Sequence, residues 1–88
     1  MNREETIKEL ERYVIERDKA VADLDLKTFK KWVISQNLPR IPSDEVLEIS
    51  MMKMAVHITS LDVDTRVKAF RWLLEHHYDF SFDEVSDI

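Results

Sequence analysis

Four groupings in this chain are of residue types that can do chemistry, and their spacing decides what each could be. Asp62 and Asp64 stand two apart, as at the start of calcium loops and of some phosphatases. A calcium loop needs further oxygen ligands and a glycine at its turn, and the phosphatase start needs a preceding strand. Here the pair opens an apolar-periodic run, where Asp62 serves as a helix cap and Asp64 sits in the first turn. His76 and His77 are neighbours, so on a helix they point about 100° apart, unlike the i, i+4 histidines that hold zinc. Interaction with the negative end of a helix is a sufficient role for either. His57 falls on a polar stripe with Ser50, Lys53 and Ser60, and that stripe supplies no carboxylate to orient it as a general base. Lys27, Lys30 and Lys31, with Arg40 further on, form a local basic patch that could meet phosphates. The aromatics between and beside them, Phe29 and Trp32, are expected on the opposite, core-facing side and not on the lysine face to stack bases.

What the chain lacks narrows the chemistry further. It has no glycine, so phosphate-cradling loops, dinucleotide fingerprints and nucleophile elbows, which need close backbone approach or positive φ, have no candidate segment. It has no cysteine, which removes disulfides, thiolate ligands and a thiol nucleophile. The expectation is a protein that is not an enzyme, with no catalytic residue, no cofactor and no metal site.

The 88 residues are 44% apolar and 35% charged, a globular balance for one small domain. A net charge of -5 opposes nonspecific attraction to nucleic acid or anionic lipid. Residues 1–37 balance eight basic against eight acidic residues, whereas 61–88 carry seven acidic against three basic, so the excess is a property of the C-terminal end. Neither a leader-like segment nor a membrane-spanning apolar run is evident, and the chain reads as a soluble cytoplasmic protein.

The elements that must position these residues follow from apolar spacing and punctuation. Both prolines, Pro39 and Pro42, lie near the middle with helical periodicity on either side. The expected fold is all-α, a compact bundle of about four helices over roughly 2–22, 25–37, 44–60 and 63–77. Two helical pairs, about 2–37 and 43–77, are joined by the 38–42 linker, with a short acidic-aromatic element at 78–88. Pro39 and Pro42 match the P-x-x-P spacing of SH3-type ligands, but a five-residue connector needs no such role.

Within the first helix, capped by Asn2, the residues Ile7, Leu10, Val14, Val21 and Leu24 make the expected core stripe, flanked by Glu4/Lys8 and Arg12/Glu16 pairs. Arg17 interrupts the stripe and is expected to snorkel from its edge. Leu26, Phe29, Trp32 and Val33 face the core from the second helix. The third, capped by Ser43, is apolar on two opposed faces, Leu47-Met51-Met54-Ile58-Leu61 and Ile49-Met52-Val56, and is therefore expected at the centre. Its methionines are core filling, or else an exposed groove for a partner helix. Val63, Val67, Phe70, Leu73 and Leu74 make the expected core face of the fourth helix, with Ala69, Trp72 and His76 on the far side. Tyr78, Phe80 and Phe82 alternate with Asp79, Ser81 and Asp83 in the C-terminal element.

The stretch 43–78, above all Ile58-Thr59-Ser60-Leu61 followed by Arg66, Ala69, Phe70 and Arg71-Trp72-Leu73-Leu74-Glu75, resembles the small helical accessory proteins of bacterial phages and prophages. That likeness covers under half of the chain and contains no motif with an assigned role. It implies a binder of a host protein, acting in the host cytoplasm, rather than a catalyst. The expected function is thus a protein-binding module, with Trp72, His76, Ala69, Phe80 and Phe82 as candidate contacts. Two other readings use different surfaces: a nucleic-acid-linked regulator built on Lys27, Lys30, Lys31 and Arg40, and a structural homodimer formed through surplus apolar surface on the first and third helices.

Overall fold

The computed structural model describes residues 2–76; Met1 and 77–88 lie outside the described residues. Four helices follow in order: α1 (Arg3–Val21), α2 (Leu26–Ser35), α3 (Asp44–His57) and α4 (Val63–Glu75). The all-α bundle is as the periodicity requires. Tyr78, Phe80, Phe82 and the rest of the acidic-aromatic segment fall outside the described residues.

Each helix starts where a short polar side chain can accept a free backbone N–H. Asn2 Oδ1 accepts from Glu5 N at 2.9 Å, Asp25 Oδ2 from Thr28 N at 3.3 Å, Ser43 Oγ from Val46 N at 3.3 Å and Asp62 Oδ2 from Asp64 N at 3.2 Å. Such caps satisfy donors that the helix itself leaves open. Asp62 and Asp64 are accounted for by this capping, and among the described residues no group of three His, Cys, Asp or Glu is placed to hold a metal ion.

Asp25 does more than cap. The Thr28 hydroxyl donates to the same carboxylate oxygen at 2.6 Å, and this bond, followed by that from the Thr28 backbone N–H, holds the Asp25 carboxyl below the ordinary aspartate value. A folded-state value below the unfolded one contributes stability above the ordinary carboxylate range, and the contribution is lost as pH falls through the folded value. Asp25→Asn keeps an acceptor but does not titrate. Its melting midpoint should therefore fall less than that of the unmodified protein between neutral and acid pH, as followed by circular dichroism; equal falls would remove Asp25 from the acid limb.

The helix ends differ from the expected ones for identifiable reasons. α3 stops at His57 because Ile58 takes an extended conformation. The Arg66 guanidinium, reaching back from α4, donates two bonds to the Val56 carbonyl at 3.2 and 3.3 Å, satisfying an acceptor that a longer helix would have used. α2 ends at Ser35, and Asn37 just beyond has φ 58°. Asparagine tolerates that left-handed region. Leu24, between α1 and α2, also has positive φ, at 52°, a conformation that costs a non-glycine residue about 1–2 kcal/mol. The leucine side chain packs against the core, so a turn that would ordinarily take glycine is held here by burial.

The third helix is central, touching all three others, whereas among the described helices α4 touches α3 alone. Leu47, Met51, Met52 and Ala55 of α3 are buried with Ala20, Val21, Phe29, Val33, Ile58, Ala69 and Leu73 in one cluster. Met51 and Met52 are thus core residues and Met54 packs against them half-buried, which rules out an exposed groove formed by these three.

Two expected core faces are buried only in part. In α1 only Ala20 and Val21 are buried, and every residue from 2 to 16 is exposed. Length is the reason: α1 has 19 residues and α2 only 10, so a helix of about 28 Å lies against one of about 15 Å. Among the described residues, the remaining turns of α1 have no neighbour that buries them. In α4 the buried residues are Ala69 and Leu73, while Val63, Val67 and Leu74 are 40–67% exposed. Arg66 fixes that rotation by its bonds to Val56, and the small Ala69 side chain lets α4 approach α3 closely.

Candidate partner-binding surface

The surface that stands out is the N-terminal two thirds of α1. Ile7, Leu10, Val14 and Ile15 are 42–59% exposed and, with Glu11, line one apolar face of the helix. Among the described residues, the ion pairs expected to flank it, Glu4 with Lys8 and Arg12 with Glu16, are not formed. The ion pair that does form on α1 is Arg17 Nη2 to Asp18 Oδ1 at 3.1 Å, on half-buried side chains. Asp18 also accepts from the Ser60 hydroxyl at 3.0 Å, tying the C-terminal end of α1 to the α3–α4 connection. Arg17 therefore anchors next to its neighbour in sequence, in place of an apolar contact.

A second feature is a groove of about 410 Å³ between α1, α2, the proline linker and α3, lined among others by Tyr13, Trp32, Leu38, Pro42, Leu47 and Met54. Its aromatic wall is a run of tilted rings: Tyr13 to Trp32 at 5.5 Å and Phe29 to Trp32 at 5.8 Å between centroids. Trp32 Nε1 is buried without a hydrogen-bond partner among the described residues. This is a cost of about 1–3 kcal/mol built into the aromatic layer.

A third lies on α3 and α4, where Val56, Val63, Val67 and Phe70 with the Arg66 stem form an apolar depression. Of the α4 face expected to be core, Val63, Val67 and Leu74 are exposed, Phe70 is half-buried and Leu73 is buried.

The residues singled out from the sequence are placed as follows. Ala69 is fully buried and belongs to the α3–α4 contact, so it leaves the set of candidate contacts. Trp72 is half-buried against the core. The His76 imidazole stacks on its indole, with centroids 4.1 Å apart and planes 20° apart, and His76 Nδ1 lies 2.8 Å from the Trp72 carbonyl oxygen. The two residues form a local pair at the end of α4 in which His76 alone is exposed. Phe80 and Phe82 lie outside the described residues. Of the basic patch, Lys30 Nζ is bonded to Asp44 Oδ1 at 2.8 Å, joining α2 to the start of α3. Lys27, Lys31 and Arg40 are exposed. His57 is exposed in the last turn of α3, where the helix dipole favours it.

Periodicity assigned Ile7, Leu10 and Val14 to the core, with surplus apolar surface on the first helix only as the homodimer alternative, because an exposed stripe of this spacing is indistinguishable from a core face. The signal that could have found it is the mismatch between the helix lengths set by the caps Asn2 and Asp25 and the prolines. Comparison with protein-family models, with curated proteins and with solved structures yields no match. Among the described residues no helix is long and apolar enough to cross a membrane.

Proposed function

We propose that this chain is a non-enzymatic protein-binding module whose docking face is the apolar stripe of α1, in keeping with a phage or prophage accessory factor that engages a host protein. The observation that carries this reading is the exposure of Ile7, Leu10, Val14 and Ile15 along one side of a helix that its own bundle leaves uncovered. Large aliphatic side chains aligned over several turns are what an amphipathic helix offers to a partner, and contiguous exposed apolar surface marks an interaction site. Unlike the stripe, the lysine patch is thinned by the Lys30–Asp44 bond, and Phe29 beside it is buried in the core.

Leu10→Glu tests the reading because the side chain is 59% exposed. Its melting midpoint should stay close to that of the unmodified chain, since exposed sites of this kind change stability by no more than about 0.5 kcal/mol. Binding of a partner retained by the immobilised chain should weaken at least tenfold, the scale of about 1.4 kcal/mol. Undiminished retention would move the docking face off α1, and retention that instead falls steeply with added salt would point to the lysines.

A further inference from the structure

We propose that the occupant of the α1 stripe is an amphipathic helix of a partner protein that sets lysine or arginine side chains opposite Glu4 and Glu11. This rests on the reading of α1 as a protein-docking face and gives the chemistry of what docks there.

The stripe has a heptad register. With Ile7 and Val14 at a and Leu10 at d, Glu4 and Glu11 fall at e and Ile15 at the following b. β-Branched residues at a with leucine at d suit pairing with a single helix. At 100° per residue the e position lies between a and b, so Glu11 stands between the line of Ile7 and Val14 and the side chain of Ile15. It lines the same face as they do. Its side chain is exposed and, among the described residues, neither it nor Glu4 joins an ion pair.

A helix that covers Ile7, Val14 and Ile15 must therefore also cover Glu11. Taking water from a carboxylate is unfavourable unless a cation replaces it. A second copy of α1 brings none. In parallel register it would set e against g of its mate, and the g positions here are Thr6 and Tyr13. In antiparallel register it would set glutamate against glutamate. Residues 77–88 hold Asp79, Asp83, Glu84 and Asp87 and neither lysine nor arginine, so they are no better matched. A partner helix with basic residues beside its own apolar seam satisfies both glutamates, and the opposed charges fix its register and direction on α1.

The test uses a labelled synthetic peptide of three heptads with isoleucine at a, leucine at d, lysine at e and g and alanine elsewhere; its lysines keep it from pairing with itself. Fluorescence anisotropy follows its titration with the full 88-residue chain at physiological salt. The lysine peptide should bind saturably, and a counterpart with glutamate at e and g at least tenfold more weakly. Leu10→Glu and Glu11→Lys should each weaken the lysine peptide tenfold or more, and the double variant Glu4→Lys, Glu11→Lys should prefer the glutamate peptide. Circular dichroism melts of the variants should match that of the unmodified chain, since all three positions are exposed. Equal binding of the lysine peptide and a glutamine counterpart, with no effect of Glu11→Lys, would overturn the proposal while leaving α1 as an apolar docking face. Lysine-peptide binding indifferent to Leu10→Glu would be attraction to general negative charge and would overturn it too. So would an unmodified chain that sediments as a dimer dissociated by Leu10→Glu, because the occupant would then be a second copy. Failure of the lysine peptide to bind would also overturn it. In that case Leu10-dependent retention of another protein would keep the docking face with a partner of different chemistry, and retention indifferent to Leu10 would remove the face as well.

Discussion

Met51→Asp should abolish the cooperative thermal transition of this protein. Met51 is fully buried at the centre of α3, the helix that touches the other three, so a carboxylate there has neither water nor a partner. Burying such a group without compensation costs several kcal/mol, to which the lost packing of the thioether adds. Domains of this kind have a total stability of about 5–15 kcal/mol, and a chain of this size has no second core to carry the remainder. Circular dichroism at 222 nm and a thermal melt are sufficient measurements. Met54→Asp, three residues on and half-buried, should retain a transition at reduced midpoint. A Met51→Asp protein melting within a few degrees of the unmodified chain would mean that α3 is not the common element of the core.

Phe29→Ala is the second large expected effect. Phe29 is 1% exposed and its ring lies 5.8 Å from that of Trp32, which continues to Tyr13 of α1. Removing the ring therefore opens the layer in which α1 and α2 meet. Truncation of a buried phenylalanine costs about 3–5 kcal/mol, and at roughly 4–8 °C per kcal/mol for a domain of this size the midpoint should fall by more than about 12 °C. Trp32 provides an independent reading: its emission should shift to the red as water enters beside it. A small drop in midpoint with unchanged emission would show that the α1–α2 layer closes over the gap and contributes little to the fold.

Both substitutions follow from residues whose burial could be read from spacing, and other parts of the molecule could be read in the same way. Four helices with starts near Asn2, Asp25, Ser43 and Asp62 follow from cap chemistry, because a side-chain oxygen at the helix start satisfies a donor locally whatever the rest of the chain does. The central place of α3 follows from its two opposed apolar faces, since a helix apolar on both sides must be sandwiched. The break between the helical pairs follows from Pro39 and Pro42, which cannot donate and which push their predecessors away from helical geometry.

What periodicity could not determine is which of two acceptable faces a helix turns inward, and how far along its length a neighbour extends. In α4, Val63-Val67-Phe70-Leu74 and the line through Ala69 and Leu73 are both compatible with a core face. The choice is made by a long-range bond, Arg66 to the Val56 carbonyl, and by the fit of Ala69 against α3. In α1 the stripe of Ile7, Leu10 and Val14 has the same spacing as Val21, which is buried. Only the ten-residue length of α2 and its position beside the last turns of α1 leave the earlier part open. Leu24 makes the same point about the backbone: the absence of glycine argues against left-handed positions, yet the chain places Leu24 in one because its side chain gains a core contact there. Local chemistry thus determined where the helices begin and that they form a bundle, since caps and proline act within a few residues. Tertiary structure decided which apolar faces remain outside, since burial depends on the neighbour that arrives and on where that neighbour ends.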